Sequence, residues 1–129
     1  MKSIYLVDDD KISNFVNEKL IQHAGIFEEV RVFQSGVKAL AELQQVHKEQ
    51  GQAPQIILLD INMPIMNGFE FLDELAQLPA SFSQNIKIVM LSSSLDNGDK
   101  ERAFAYQNVI DFFIKPLATD KLVALVRNV

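Results

Sequence analysis

Four apolar residues, Ile56-Ile57-Leu58-Leu59, run without a break into one carboxylate, Asp60, and a loop containing Pro64 and Gly68 follows at once. A run this short, apolar at odd and even positions alike and bounded by turn residues, predicts a strand buried on both faces. Strands of that kind belong to parallel sheets covered by helices. Asp60 then stands at the carboxyl end of a central strand, where open α/β sheets place their ligands.

The rest of the chain repeats the pattern. Ile4 to Val7 is a second apolar run ending in acid, Asp8-Asp9-Asp10. Asp10 is placed to cap a helix from about Lys11 to Ala24, in which Ile12, Phe15, Val16, Leu20 and Ile21 approximate a helical period and which Gly25 closes. Val30 to Phe33 is short and carries Arg31, which suits an edge strand. Ser35 is a good N-cap for a helix from about Gly36 with Val37, Leu40 and Leu43 on one face, and the polar tract from Gln44 reads as a solvated helix end and loop up to Pro54. Gly68 opens a helix through Phe69, Leu72, Leu75 and Ala76 that Pro79 ends. Ile88 to Leu91 is a fourth strand, followed by Ser92-Ser93-Ser94; Asp96 to Tyr106 is a weaker helix; Ile110 to Ile114 is a fifth strand, broken by Lys115-Pro116. Thr119 caps a last helix with Leu122, Leu125 and Val126 inward. Strand and helix alternate five times, an order that demands a parallel sheet with right-handed crossovers and helices on both faces. With 129 residues, 48% of them hydrophobic and 22% charged, the chain is expected to form one domain over residues 1–129.

Composition excludes several functions. The net charge of −5, from 12 basic and 17 acidic side chains, argues against non-specific binding to nucleic acid. There is no cysteine, hence no disulfide, no thiol chemistry and no thiolate zinc site. No apolar run approaches the roughly 18 residues of a membrane span. Acids interrupt the N-terminal apolar run too early for a signal peptide, so a cytoplasmic location away from membranes is expected.

The polar residues of interest all fall at carboxyl ends of predicted strands: Asp8 and Asp9 after the first, Asp60 after the third, Ser92 after the fourth and Lys115 after the fifth. In a parallel sheet these ends share one edge. Three carboxylates in one cleft repel, and all can be ionised only if a cation neutralises them. Hard oxygen donors without His or Cys select Mg²⁺, or Mn²⁺ in its place. A metal, an ammonium and a hydroxyl around one aspartate make a site suited to receiving a phosphoryl group on a carboxylate.

Four segments in this order, Val7-Asp8-Asp9-Asp10, Asp60 through Gly68, Leu91-Ser92-Ser93 and Phe112-Phe113-Ile114-Lys115-Pro116, closely resemble the motifs of the receiver domain of two-component response regulators, and the resemblance covers the whole chain. It implies a flavodoxin-like, doubly wound (βα)5 fold with strand order 2-1-3-4-5, of the stand-alone type. It further implies that Asp60 attacks the phosphohistidine of a sensor histidine kinase or a histidine phosphotransfer protein. Asp9 would bind Mg²⁺ directly, Asp8 mainly through water, and the backbone carbonyl of Asn62 would be a further ligand. Lys115 would pair with Asp60 at rest and with phosphoryl oxygens afterwards. The Ser92 hydroxyl would swing toward the phosphoryl group. Phe112 stands where the family has an aromatic, often Tyr, that turns inward on activation, and Asn62 and Ser94 would flank the path of attacking water and tune the phosphoryl lifetime. The Lys115-Pro116 bond is expected to be cis, which X-Pro bonds permit. The fourth helix, fifth strand and fifth helix would form the face read by a downstream protein, with the chain a monomer or a phosphorylation-dependent dimer that catalyses only its own phosphorylation and dephosphorylation.

Some residues depart from the family pattern. Tyr106-Gln107-Asn108-Val109 replaces a turn rich in small residues, with Asn108 tolerant of left-handed angles. Asn67 replaces a common Asp, and Leu117 a common Phe. A Mg²⁺-dependent phosphohydrolase of the haloacid-dehalogenase type shares the aspartate chemistry but carries a second Asp two residues on, where this chain has Asn62. A receiver that binds partners without phosphorylation would have lost Asp8, Asp9, Asp60 or Lys115, and all are present. His23 and His47 read as helix-face residues, and Tyr106 as a helix-end aromatic or part of a partner surface.

Overall fold

The computed structural model describes residues 2–94 and 96–127, with side chains as far as Leu125. In chain order the elements are β1 (Ser3–Val7), α1 (Lys11–Ala24), β2 (Glu29–Phe33), α2 (Gly36–Lys48), β3 (Ile56–Asp60), α3 (Gly68–Leu75), α4 (Ala80–Ser83), β4 (Lys87–Ser92), α5 (Asn97–Phe104), β5 (Val109–Ile114) and α6 (Thr119–Arg127). The five strands are all parallel, in the order β2-β1-β3-β4-β5. This is the doubly wound, flavodoxin-like arrangement, with β1, β3 and β4 inside and β2 and β5 at the edges.

Strand alternation divides the core in two. Tyr5, Val7, Ile57, Leu59, Ile88 and Met90 join one cluster, covered by Ala39, Leu40 and Leu43 of α2, Phe69, Phe71 and Leu72 of α3, and Ala103 of α5. Ile4, Leu6, Ile56, Leu58, Val89 and Leu91 join the other, covered by Ile21 of α1, Leu122 of α6 and Leu117 just before α6. Both faces of the central strands are therefore buried, which explains their unbroken apolar runs.

Caps set the helix starts. Asp10 accepts from the Ile12 and Ser13 amides, Ser35 from Lys38, and Asn67 and Glu70 form a reciprocal capping box at α3. Gly25 ends α1 in the left-handed conformation. The Lys115-Pro116 bond is cis.

The structure corrects several expectations. A sixth helix, α4, follows Pro79, whose carbonyl accepts from the Phe82 and Ser83 amides; proline stops one helix but its fixed φ also suits the start of another. In α1 the apolar period divides: Ile12, Phe15 and Val16 are 75%, 61% and 47% exposed, while Ile21 is buried and Leu20 packs on the core, with Asn14 and Asn17 also buried. Asn14 is turned inward because its Nδ2 donates to the Asp8 carbonyl at 2.8 Å. Val37 is exposed, and Ala39 takes its place beside Leu40 and Leu43. As expected, the polar tract after Gln44 begins as a helix end, with α2 running to Lys48, and continues as a loop. Asn108 keeps a negative φ and serves through its side chain, which donates to the Ser83 and Ile86 carbonyls at 2.8 Å each and ties β5 to α4. Thr119 is the first residue of α6 rather than a residue preceding it. Leu122 and Leu125 pack inward, and the Val126 side chain lies outside the described residues.

Two residues govern the loop between Asp60 and α3. A Cβ on Gly68 would lie 2.8 Å from the Asp60 carbonyl oxygen and 3.0 Å from Ile61 Cα, closer than any side chain tolerates. Ile65 has φ +71 and is the centre of a γ-turn closed by the Met66 amide on the Pro64 carbonyl at 2.8 Å; this turn is strained for a β-branched residue, and the side chain is 92% exposed. Gly68→Ala is expected to lower unfolding free energy by about 1–3 kcal/mol in urea titrations. Ile65→Gly, which removes the Cβ that makes the positive φ costly and no packed side chain, is expected to raise it by up to about 1 kcal/mol.

Candidate functional site

The carboxyl ends of β1, β3, β4 and β5 meet at one edge of the sheet, and local hydrogen bonds hold each polar residue there. Asp8 is buried; its Oδ1 accepts the Asp10 amide at 2.9 Å and its carbonyl accepts Asn14. Asp60 is buried at the end of β3, followed by Ile61, whose amide donates to the Leu91 carbonyl at 3.0 Å. Lys115 is fixed by its own amide, which donates to the Ser92 carbonyl at 2.8 Å. Its Nζ lies 2.6 Å from Asp8 Oδ2 and 3.4 Å from Asp60 Oδ1. Lys115 thus serves two carboxylates, with its short hydrogen bond to Asp8 and only the longer ion pair to Asp60, rather than pairing with Asp60 alone.

Asp9 is exposed at the mouth of this cleft. One carboxylate oxygen from each of Asp8, Asp9 and Asp60 lies within 4.8 Å of the others. Three hard oxygen donors converging on one point, without His or Cys, suit a divalent cation. Asn62 and Ser94 are exposed on the loops after β3 and β4. Ser92 is buried and its hydroxyl is occupied: Oγ donates to the Ser94 carbonyl at 2.7 Å and accepts the Ser94 amide at 3.2 Å. Phe112 already lies inward, 7% exposed and part of the core.

Two participants were not legible beforehand. Asn14 orients Asp8 through its carbonyl; the available signal was an Asn on the first turn after an acidic strand end. Ile65 gave none, because nothing in residue type announces a positive φ at an isoleucine. Among the two histidines, His47 packs on the Phe82 ring with centroids 5.1 Å apart, and neither joins the acidic cluster. Tyr106 donates to Asp73 at 2.7 Å and stacks on Phe69, linking the end of α5 to α3.

Electrostatics distinguish the three charges in the cleft. Burial first, and then the field of Asp8, push the Asp60 carboxyl from its ordinary 3.8 to about 7, although Lys115 pulls it down. Burial also works against the Lys115 ammonium, but its hydrogen bond to Asp8 and the fields of Asp60 and Asp8 outweigh that and hold it above the ordinary lysine range. Lys115 therefore keeps its proton, and Asp60 is the group that yields when no other cation is bound. A divalent cation would reverse this and favour the ionised carboxylate.

The sign of the pH dependence follows. Asp60 takes up its proton at higher pH folded than unfolded, so its contribution favours folding at low pH and is lost as pH rises from about 4 through about 7. In chelator-treated protein, the stability difference between wild type and Asp60→Asn is expected to shift against wild type between about pH 5 and about pH 8, and a divalent cation to remove much of that shift. Urea unfolding of both proteins at the two pH values checks it.

Comparison with known proteins agrees with this geometry. The family model of the response regulator receiver domain matches residues 4–127. A two-component response regulator from Cytophaga hutchinsonii is 34% identical, with a TM-score of 0.89 over 99% of this chain and 95% of that one. Response regulator Rcp1 of a Synechocystis strain is 33% identical over 99 residues, which is 76% of this chain and 66% of Rcp1. The crystal structure of its Mn²⁺-bound form, 28% identical, has a TM-score of 0.76 and covers 99% of this chain and 91% of that one. The transcriptional regulatory protein HptR of Staphylococcus aureus is 26% identical over 91% of this chain, which spans 42% of HptR. With the family matched over nearly its whole length, and the strand order and acidic edge in place, this chain belongs to the response regulator receiver domains of two-component signalling.

Proposed function

We propose that the chain is a phosphorylation-activated switch whose acceptor is Asp60. The observation that carries this reading is the convergence of Lys115 on Asp8 and Asp60 beside the Asp8-Asp9-Asp60 cluster. An Asp60 oxygen attacks the phosphorus of a phosphohistidine; the new P–O bond forms as the P–N bond breaks, and the imidazole leaves with the bonding pair. Asp8, Asp9, Asp60 and the Asn62 carbonyl would hold Mg²⁺, or Mn²⁺ in its place, which would neutralise the carboxylates and the oxygens of the incoming group. Lys115 supplies the second positive charge and keeps its proton throughout. The Ser92 hydroxyl is the donor for a phosphoryl oxygen once it leaves Ser94. Asn62 and Ser94, exposed on either side, line the approach of water and set the lifetime of the aspartyl phosphate.

The phosphodonor is a sensor histidine kinase or a histidine phosphotransfer protein, and the setting is the cytoplasm. The exposed Ile12 and Val16 of α1 support docking of a partner beside the acceptor: with Asp10, Asn17, Lys115 and Leu117 they line a hollow of about 190 Å³ that reaches Lys115 itself. The output is protein binding through α5, β5 and α6, where Phe104, Ile110 and Ile114 are exposed. Among the described residues no helix is long and apolar enough to cross a membrane.

Intact-protein mass after incubation with acetyl phosphate and Mg²⁺ tests the reading. A single labile phosphoryl adduct is expected on wild type, with none on Asp60→Asn and none after chelation. Lys115→Ala is expected to retain the fold while losing most of the phosphorylation rate or the downstream response. Well-folded wild type that takes no adduct under these conditions would overturn the assignment.

A further inference from the structure

At the edge of the sheet opposite Asp60, the loop leading into β3, the α4 region and the start of β4 surround a hollow of about 430 Å³, against about 190 Å³ for the one beside Lys115. That size lies within the range of small-molecule sites. Gln55 and Asp60 stand at opposite ends of β3, roughly 17 Å apart. Two features of the chain shape the hollow. α2 ends in a tight turn, in which the Gln50 and Gly51 amides donate to the His47 and Val46 carbonyls at 3.0 and 2.8 Å and Gln50 is left-handed at φ +58. The chain from Gly51 to Gln55 then forms one wall. Ser81 and Phe82 of α4, the short helix after Pro79, form another.

The lining is polar and free of acid. The chain has 17 acidic side chains and a net charge of −5, yet none of them borders the hollow, whereas Lys87, exposed at the start of β4, does. Gln55 is fixed by its backbone: its amide donates to the Ser3 carbonyl at 2.9 Å and its carbonyl accepts the Lys87 amide at 3.0 Å. The two side chains therefore start from neighbouring points of the sheet. Gln55 Oε1 is buried and has no hydrogen-bond partner in the protein, the one such side-chain atom among the described residues. Buried acceptors nearly always have a donor. The terminal torsion of a glutamine is soft, so this carboxamide can present its oxygen to the hollow that its own residue lines. Phe82 adds a half-buried ring, against which His47 packs.

We propose that this hollow binds a small organic anion of the nucleoside monophosphate class. Three requirements meet there: a hydrogen-bond donor for Gln55 Oε1, a flat body for the Phe82 ring and a negative charge for Lys87. A nucleobase supplies the first two. A carboxamide pairs with the donor and acceptor on a base edge, as on adenine, and a base stacks on an aromatic ring. The phosphate supplies the third through a charge-assisted contact with the ammonium. An inorganic anion meets only the last requirement, and an uncharged nucleoside only the first two. The site is separate from the acidic edge and does not depend on Asp60 accepting a phosphoryl group.

Heteronuclear NMR of the full chain in Mg²⁺-free buffer, titrated in turn with AMP, adenosine and inorganic phosphate, tests it. With AMP, saturable shifts of the Gln52, Ala53, Gln55, Asn85 and Lys87 amides are expected, while the Asp60 to Asn62 amides stay still. Adenosine and phosphate are each expected to bind at least about tenfold more weakly. Lys87→Gln is expected to weaken AMP binding about tenfold and to leave adenosine unchanged. Gln55→Leu is expected to weaken AMP and adenosine alike with no fall in Tm, because the orphaned oxygen goes with the side chain. AMP shifts that do not saturate, that centre on Asp60 to Asn62, or that keep full affinity in either variant would overturn the proposal. Phosphate binding as tightly as AMP would overturn it too, leaving a plain anion contact at Lys87.

Discussion

One ammonium allows two buried carboxylates to stand side by side. Asp8 and Asp60 come from adjacent strands, and without a cation between them one of the two would have to take up a proton. Lys115 reaches both from β5, the far edge strand, which is bonded to neither β1 nor β3. The sheet has to be complete, through β4 and out to β5, before the acidic edge is neutralised. Lys115 also anchors the end of β4, because its amide donates to the Ser92 carbonyl. The same residue thus balances the charge of the cleft and sets the position of the hydroxyl beside it. That balance is incomplete, since Asp60 still sits far above the ordinary aspartate range. A further cation is what the remaining imbalance favours.

Backbone geometry delivers Asp60 with equal constraint. The Gly68 amide donates to the Ile61 carbonyl at 2.8 Å, folding the loop back onto the strand it left, and only glycine fits against the Asp60 carbonyl. The strained turn at Ile65 lies in the same loop. Strain of this kind persists where the surroundings over-determine the backbone. Here the surroundings are the capping box of Asn67 and Glu70 on one side and the end of β3 on the other. The loop that carries Asn62 is therefore held at both ends.

Strands, their parallel arrangement and the acidic edge were legible because each rests on a local rule: unbroken apolar runs for strands buried on both faces, a cap or glycine at each helix end, and the parallel sheet that alternating strand and helix demand; the order 2-1-3-4-5 came from the family resemblance. Asp8, Asp60, Ser92 and Lys115 followed from that topology, since all four terminate strands. What escaped depends on tertiary partners. Pro79 reads as a stop because its role as a helix start needs the four residues after it to find a place on the core, which Phe82 does. Asn108 reads as a left-handed turn residue, yet the carbonyls of Ser83 and Ile86 claim its side chain and the backbone angle is not needed. The order in which Lys115 serves Asp8 and Asp60 depends on tenths of an ångström, which no spacing encodes.

The reversal of α1 follows from the site rather than from hydrophobicity. Periodicity assigns Ile12, Phe15 and Val16 to a common face and is silent on whether that face is the inner one. The Asp8 carbonyl, buried at the end of β1, needs a donor, and the helix immediately after it is the nearest source. Supplying Asn14 Nδ2 turns the first half of α1, and Asn17 and Ile21 follow it inward at helical spacing. Ile12, Phe15 and Val16 are then left in solvent. An unsatisfied carbonyl beside a buried carboxylate is costly, while three exposed apolar side chains forgo burial only in the absence of a partner. The hydrogen bond that orients Asp8 and the apolar strip next to Lys115 are thus two consequences of one helix rotation. A change at Asn14 would disturb both the acidic cleft and the apolar strip beside it.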